Sequence, residues 1–318
     1  MQWCRFVRRS RKNRCSRLET GIRVKIVPSD YTNPASLTGD PMPLKNILLH
    51  LANDESHERR LQIAIDLAHK YDGHIHACYF TQPESMPAAV TGRGASYTYL
   101  QEATAIAHEK AEVIRTEIAN KCGNLSWSFE ILEEDHVDAM ARRSFLADLA
   151  IVGQSNHATR KDRVSLHLPD RLTLVATCPT LVVPHQPAVT FTGKHLSIAW
   201  KHKREASRAL RDSLGLLTDA EQVSIILLAK EKNRVNAEAE GEQVKRFLDN
   251  HGIAAEIRMA EAHSTRGNGT PLINCAKEIG SDGIVMGAYS HSRLREQILG
   301  GMTYYMLNNS DVPLIMSH

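Results

Sequence analysis

Three glycines in the last third of the chain, Gly287, Gly300 and Gly301, have the setting of a phosphate-binding loop. Gly287 ends a strand-like apolar run, and open α/β sheets bind ligands where loops leave the carboxyl ends of parallel strands. Glycine has no Cβ atom, so its backbone can approach phosphate oxygens closely. Gly300 and Gly301 are predicted to open a helix, whose free N–H groups and dipole favour an anion. The same pair would also suit tight packing at a helix start, so both interpretations stay open.

The glycine loop belongs to the second of two similar halves. Lys45–Leu51 and Lys194–Trp200 are short apolar runs about 149 residues apart, and each precedes a charged turn and a helix with one apolar stripe. The later strands are predicted at 75–80, 126–132, 147–153 and 178–184 in the first half, and at 223–228, 254–259, 281–287 and 312–316 in the second.

Strands that alternate with helices indicate βαβ units and a parallel sheet. The strands are continuous Ile, Leu and Val runs, as burial on both faces requires. We therefore predict an α/β fold with two doubly wound parallel-sheet domains in tandem. The predicted division is a basic extension at 1–41, a first domain at 42–186, a linker at 187–193 and a second domain at 194–318.

The chain resembles the universal stress protein family in its tandem two-domain form. This resemblance implies the adenine-nucleotide alpha-hydrolase-like fold and a role in the stress response. It covers nearly all of 44–318 and is carried by 147–154 and 178–184 in the first half, and by 287–292, 300–303 and 312–316 in the second.

Nucleotide-binding members of this family carry G-x2-G-x9-G-[S/T] after the fourth strand. The second half keeps this spacing, with Ser290 in place of the second glycine and Gly301 in place of the Ser or Thr. Ser290 can still donate to a phosphate, Gly301 keeps its N–H group, and Thr303 offers a hydroxyl nearby. The resemblance therefore implies ATP as the ligand of the second domain. The predicted contact residues are Gly287, Ser290, His291, Gly300, Gly301, Met302, Thr303 and Lys201.

One departure from the family pattern follows the first strand of each half. Binding members place an Asp there, whereas this chain has Ala52 in the first half and Lys201 in the second. A lysine can meet a phosphate as a point charge but cannot replace a carboxylate that holds a ribose or a metal. After Gly153 the first half has no further glycine before Gly193. The first half is therefore predicted to have lost the nucleotide site.

Three potential metal ligands alternate along the second predicted strand. His74, His76 and Cys78 share one face of that strand, and such a face could hold zinc. In a doubly wound sheet, however, that face packs under helices. We therefore favour a structural role for these residues and predict no metal site.

Charge and composition exclude other classes of partner. Residues 1–41 carry nine Lys or Arg against three Asp or Glu, so the rest of this +3 chain is mildly acidic and predicts no nucleic-acid partner. No run reaches the roughly 18 apolar residues of a membrane span, so no membrane partner is predicted. Scattered cysteines without a C-x-x-C pair predict a reducing, cytoplasmic location.

For 1–41 the alternatives are a mis-assigned start before Met42, a disordered tail, an organellar targeting peptide and a basic binding arm.

Motifs of catalysis are absent from the sequence. It contains no nucleophile elbow, paired-carboxylate motif or His-Glu-x-x-His, so binding is favoured over enzymatic activity. We expect a stress-response protein that binds ATP in its second domain and acts through its conformation or through contacts with an unidentified protein partner. The alternatives are a nucleotide-independent scaffold and a slow nucleotide hydrolase.

The fifth strands predict how the two halves associate. Each is short and apolar, each would lie at a sheet edge, and an open edge is a template for strand pairing. The two edges of one chain can pair with each other about a pseudo-twofold axis. We therefore predict an intramolecular pseudo-dimer, with homodimerisation of the whole chain as a further possibility.

Overall fold

The computed structural model describes most of the chain from residue 44 onward. The described residues are 44–52, 54, 56–81, 93–155, 167–186, 190–262, 269–289 and 301–318, with the backbone alone at 93–100 and 103.

Strands and helices alternate through both halves. The first half contains β1 (Asn46–Ala52), α1 (His57–Tyr71), β2 (His74–Phe80), α2 (Arg93–Cys122), β3 (Ser126–Leu132), α3 (His136–Ser144), β4 (Leu149–Gly153), α4 (Leu168–Val175) and β5 (Thr180–Val183). The second contains β6 (His195–Trp200), α5 (Arg204–Asp212), α6 (Leu214–Thr218), β7 (Gln222–Ala229), α7 (Arg234–Asp249), β8 (Ala255–Glu261), α8 (Gly269–Glu278), β9 (Gly283–Gly287), α9 (Gly301–Asn309) and β10 (Leu314–Ser317).

The described strands form a single sheet of ten, in the order β3-β2-β1-β4-β5-β10-β9-β6-β7-β8. Strands within each half run parallel to their neighbours, and only β5 and β10 are antiparallel. Each half thus has the order 3-2-1-4-5 of a doubly wound sheet. The predicted fold class is confirmed.

The pairing of β5 with β10 joins the halves through their edges. Leu181 lies opposite Ile315, and both side chains are fully buried. Next to this seam, the Gln154 side-chain amide donates to the carbonyl of Ser310 at 3.0 Å. The predicted intramolecular pairing of the fifth strands is confirmed, and both edges are used within the chain.

Both faces of the sheet are buried, as the apolar strands require. In β1, Ile47 and Leu49 pack on one face and Leu48 packs on the other. Helices α1, α2, α5, α6 and α7 contribute to the first core, and α3, α4, α8 and α9 contribute to the second.

Two segments differ from the sequence predictions. Helix α2 begins at Arg93, whereas the long, charged, helix-prone stretch at 99–121 of the sequence predicts a start at Tyr99. Phe191, which the sequence places in the linker, is buried, and a Cβ atom on Gly283 would lie 2.8 Å from its ring. This end of the linker therefore packs into the second half. Among the described helices, none combines the length and apolar character needed to cross a membrane.

Candidate functional site

Each half has one crevice where an open sheet of this topology binds ligands. The crevice lies at the carboxyl ends of two neighbouring strands whose connections run in opposite directions. In the first half these strands are β1 and β4, and in the second they are β6 and β9. The two crevices can be aligned because Ile47 pairs with the first residue of β4 and Leu196 with the first residue of β9.

A buried ion pair fills the crevice of the first half. Asp54 follows β1, and Arg60 lies in the first turn of α1. The Arg60 Nη2 donates to Asp54 Oδ2 at 2.6 Å, and its Nη1 donates to Asp54 Oδ1 at 3.1 Å. Both side chains are almost completely buried, with exposed fractions of 1% and 2%. Two parallel hydrogen bonds of this kind fix the guanidinium in one orientation.

The Arg60 guanidinium spans the crevice from one strand to the other. Its Nε donates to the carbonyl of His50 in β1 at 3.0 Å, and its Nη1 donates to the hydroxyl of Ser56 at 2.8 Å. On the other side, a Cβ atom on Gly153 at the end of β4 would lie 2.7 Å from Nη1. The side chain thus occupies the space beside Gly153. The loss of a nucleotide site in the first half stays a prediction.

Asp54 of the ion pair and the nearby His50 have shifted pKa values. Burial alone would raise the pKa of Asp54. The charge and hydrogen bonds of Arg60, together with the hydrogen bonds from Ser56, outweigh this effect and lower the pKa below its usual value. Burial, with the nearby His136 and Arg60, lowers the pKa of His50 well below 6.5. The Nε2 of His50 lies 3.1 Å from the Nδ1 of His136. Asp54 is therefore charged and His50 is neutral at neutral pH.

The crevice of the second half lacks this ion pair. With the offset of 149 residues between β1 and β6, Lys203 matches Asp54 and the buried Ala209 matches Arg60. Lys201, His202 and Lys203 form an exposed segment between β6 and α5. A cationic surface segment thus replaces an internally neutralised pair.

Gly287, the last residue of β9, is in close contact with α5. A Cβ atom there would lie 2.5 Å from the backbone nitrogen of Ala206 and 2.5 Å from the carbonyl carbon of Glu205. These are backbone atoms of a helix, which cannot move aside as a flexible side chain can. Glycine is therefore needed at 287 for helix packing, whatever its part in binding a ligand.

The first turn of α9 supplies three of the predicted contact residues. Gly301 is exposed, and among the described residues a Cβ atom there would meet no atom within 4 Å. Met302 is half-buried against the core. Thr303 is buried, and its hydroxyl oxygen accepts a hydrogen bond from the N–H of Tyr289 at 3.1 Å. The Thr303 hydroxyl, predicted to face a phosphate, is thus engaged with the chain that leaves β9.

Five of the eight predicted contact residues lie at this edge of the sheet. Gly287 and Lys201 mark the ends of the paired strands β9 and β6, and the hydrogen bond between Tyr289 and Thr303 holds the start of α9 nearby. The other three predicted residues, Ser290, His291 and Gly300, lie outside the described residues.

Sequence reasoning missed the ion pair of Asp54 and Arg60. Two signals were present: an acidic residue two positions after Ala52, and an arginine directly before Leu61 of the apolar stripe. Alignment of the two halves gives the clearest signal, because the arginine at 60 aligns with an alanine at 209.

Each half of the sheet has a crevice at the place where open α/β sheets bind ligands. The protein is therefore an open α/β protein with two such halves in tandem. The model of the universal stress protein family matches residues 43–184. This match covers the first half of the chain and agrees with the resemblance seen in the sequence. It is similar to universal stress protein Slr1230 of Synechocystis, with 22% identity over 292 residues, which are 86% of this chain and 99% of that protein.

Solved structures show the same architecture at low identity. A universal stress protein from Archaeoglobus fulgidus superimposes with a TM-score of 0.64 and 16% identity, and covers 87% of this chain and 99% of its own. A putative universal stress protein from Pseudomonas aeruginosa gives a TM-score of 0.53 at 15% identity, with coverage of 86% and 93%. These similarities establish the fold of both halves.

Proposed function

We propose that the second half binds an adenine nucleotide, with ATP as the family's implication, and that binding acts through the protein's conformation or a partner surface. The phosphates would lie between the end of β6 and the start of α9. The observation that carries this proposal is the contrast between the two crevices. The place filled by Asp54 and Arg60 in the first half holds Lys203 and Ala209 in the second.

Charge at the end of β6 supports an anionic ligand. Lys201 and Lys203 are exposed, so a phosphate can reach either side chain from solvent. Opposite charges about 4 Å apart at a protein surface attract with about 4 kcal/mol at an effective dielectric constant near 20. Lys201 stands where binding members of the family place an Asp, so the side chain would hold phosphate and not ribose.

The start of α9 supports the same position for the phosphates. The first N–H groups of a helix have no partner within the helix, and the helix dipole favours negative charge there. None of the described residues fills the space next to Gly301, so none of them blocks that end. Together with the lysines after β6, it would place positive potential on both sides of one anion.

Equilibrium dialysis of the full chain against labelled ATP tests this proposal. We expect uptake by the wild-type protein and at least about tenfold weaker binding for Lys201→Glu, since 1.4 kcal/mol corresponds to a factor of ten. Gly301→Val, which adds a side chain in open space, should also weaken binding. No uptake at millimolar ATP would refute the proposal.

Lys194→Glu provides a matched control for Lys201→Glu. Lys194 precedes the same strand at its opposite end and pairs on the surface with Glu221. Both variants change the net charge equally, so a general electrostatic effect would weaken binding to the same extent in both. Binding at the proposed place requires that Lys194→Glu retain wild-type affinity.

Two contacts favour a second candidate, a nucleotide-independent scaffold. Gly287 is required by the packing of α5, and the Thr303 hydroxyl is occupied by Tyr289. If both serve only the fold, the protein acts by protein contact alone, and the dialysis experiment gives no uptake. Slow hydrolysis is less favoured, because Lys201 cannot position a metal ion as a carboxylate does. Time-resolved phosphate release measures it directly.

A further inference from the structure

Three potential metal ligands meet on the two outermost strands of the first half. His76 and Cys78 are two residues apart in β2, so their side chains lie on the same face of the sheet. Glu130 in β3 lies directly opposite Cys78 in the parallel register. The imidazole nitrogen, the thiol sulfur and a carboxylate oxygen of these residues all lie within 4.8 Å of one another.

The face that carries these ligands is more open than the sequence predicts. His136 of α3 stacks on Phe80 with ring centroids 4.2 Å apart, so that helix reaches the carboxyl end of β2. Farther back along the strand, the side chains of His76 and Glu130 are 36% and 43% exposed, whereas Cys78 is buried. The cluster is therefore reachable from solvent on its histidine and glutamate side.

The distance between two of the donor atoms fits a tetrahedral ion. His76 Nε2 and Glu130 Oε2 are 3.2 Å apart. Two ligands bonded at about 2.0 Å to a tetrahedral zinc ion lie about 3.3 Å from each other. An ion could thus replace the proton that these two atoms share. The Cys78 sulfur would complete three protein ligands and leave a fourth position for water.

Arg143 of α3 orients the carboxylate of this cluster. Its Nε donates to Glu130 Oε2 at 2.9 Å, and its Nη2 donates to Glu130 Oε1 at 2.7 Å. Hydrogen bonds of this type to a ligating carboxylate are a regular feature of metal sites. The positive charge of Arg143 is also balanced by Glu134, at 3.3 Å, which limits its repulsion of a cation.

We propose that His76, Cys78 and Glu130 form a binding site for a borderline divalent cation such as Zn²⁺. Nitrogen, sulfur and carboxylate oxygen donors together suit zinc better than Mg²⁺ or Ca²⁺, which prefer oxygen ligands alone. Binding releases the Cys78 thiol proton to solvent and leaves a metal-bound thiolate. The site lies away from the crevice of the second half, so it is independent of the proposed nucleotide site.

Cobalt titration of the chelator-treated full chain tests this site, because Co²⁺ reports its ligands in its absorption spectrum. We expect a thiolate-to-cobalt charge-transfer band together with visible bands of tetrahedral Co²⁺. Added Zn²⁺ should remove both by displacement. A wild-type protein that takes up Co²⁺ without the charge-transfer band would overturn the proposal, as would a protein that takes up none.

Variants locate the ion among the sixteen histidines of the chain. Cys78→Ser should abolish the charge-transfer band, whereas Cys275→Ser should keep it. Because His76 is half-exposed, His76→Gln should fold normally. It therefore tests the site even if Cys78→Ser, which changes a buried residue, fails to fold. It should weaken Co²⁺ binding at least about 100-fold, since the loss of an outer partner alone costs 10- to 100-fold.

His74→Gln is the matched control for His76→Gln. His74 lies on the same strand and face, but its two ring nitrogens are engaged with Ser126 and Ser128 at 2.7 and 2.9 Å. It should retain wild-type Co²⁺ affinity. Equal weakening by His74→Gln and His76→Gln would contradict the assigned ligand set, and a charge-transfer band that persists in a folded Cys78→Ser protein would refute it.

Discussion

The two halves of the sheet share one strand order but use the crevice beside their first strand differently. In the first half, Arg60 and Asp54 form a buried pair that ties β1 to the following turn and lies against Gly153 at the end of β4. In the second half, the buried Ala209 matches Arg60, α5 lies in close contact with Gly287 of β9, and Lys203 is exposed. The first crevice is thus a stabilising contact, while the second has a cationic surface.

The difference extends one layer deeper, into the strands themselves. His50 of β1 is buried beside His136 and stacks on Phe80, whereas the matching residue of β6 is Ala199. Charged and titratable groups are therefore concentrated inside the first half. A duplicated fold can keep its backbone and still convert one of two equivalent crevices into a polar core.

The largest expected effect comes from breaking the buried ion pair on one side. Asp54→Ala leaves the Arg60 guanidinium buried without its carboxylate, and we expect a loss of about 3–5 kcal/mol in the free energy of unfolding. Urea denaturation followed by circular dichroism measures this loss.

Two further variants sharpen this prediction. Lys203→Ala changes the matching, exposed position and should alter stability by no more than about 0.5 kcal/mol. The double variant Asp54→Ala/Arg60→Ala should be more stable than Asp54→Ala alone, because no unpaired charge remains buried. Equal losses at positions 54 and 203 would show that the two crevices do not differ as described.

The next largest effect concerns the glycines that end β4 and β9. Gly287→Ala places a Cβ atom against the backbone of α5, and we expect a loss of about 1–3 kcal/mol from overpacking. For Gly153→Ala the tightest contact is with the Arg60 guanidinium, so its cost should fall in the Asp54→Ala/Arg60→Ala background. Denaturant unfolding of the wild type, of Gly153→Ala, of Asp54→Ala/Arg60→Ala and of the triple variant measures the coupling between Gly153 and Arg60. An equal cost of Gly153→Ala in both backgrounds would contradict it.

The fold was largely predictable because its signals are local and repeated. Apolar runs mark buried parallel strands, and the predicted strand β3 at 126–132 matches the structure at both ends. The pairing of β5 with β10 followed from two short apolar edges. The start of α2 was less predictable, since a long, half-exposed helix has a weak apolar pattern. The exact domain boundaries stay predictions.

The site was less predictable because its contacts are not periodic. Asp54 and Arg60 are separated by a turn, and no helical or strand spacing brings them together. The hydrogen bond from Tyr289 to Thr303, and the packing of α5 on Gly287, depend on how helices lie on the sheet. The sequence motif placed the right elements at this edge, but it could not show which atoms were already engaged.

A smaller effect should appear in the pH dependence of stability. Because the pKa of His50 is lowered in the folded protein, the unfolded chain binds a proton below pH 6.5 that the folded chain does not. Stability should therefore fall as pH decreases from about 6.5, by at most about 1.4 kcal/mol per pH unit. The lowered pKa of Asp54 acts separately, since its contribution is lost only as pH falls below 3.8.

Urea midpoints of the wild-type protein and of His50→Gln between pH 7 and pH 5 measure this contribution. The variant keeps a polar side chain but does not titrate, so its stability should depend less steeply on pH. The difference in slope belongs to the first half, because Ala199 offers no such group in the second. Parallel pH profiles for the two proteins would contradict the lowered pKa of His50.

The smallest effect is expected at Gly301, where the second half is open. Its backbone lies outside the left-handed region, and a Cβ atom there would meet no atom of the described residues within 4 Å. Gly301→Ala should therefore raise the free energy of unfolding by about 0.4–1 kcal/mol, because it restricts the unfolded chain without straining the folded one. Thermal denaturation at neutral pH measures this gain. If Gly301→Ala lowers stability instead, the space at the start of α9 is already filled. Gly301 would then be as crowded as Gly287, and the start of α9 would not be accessible to a ligand.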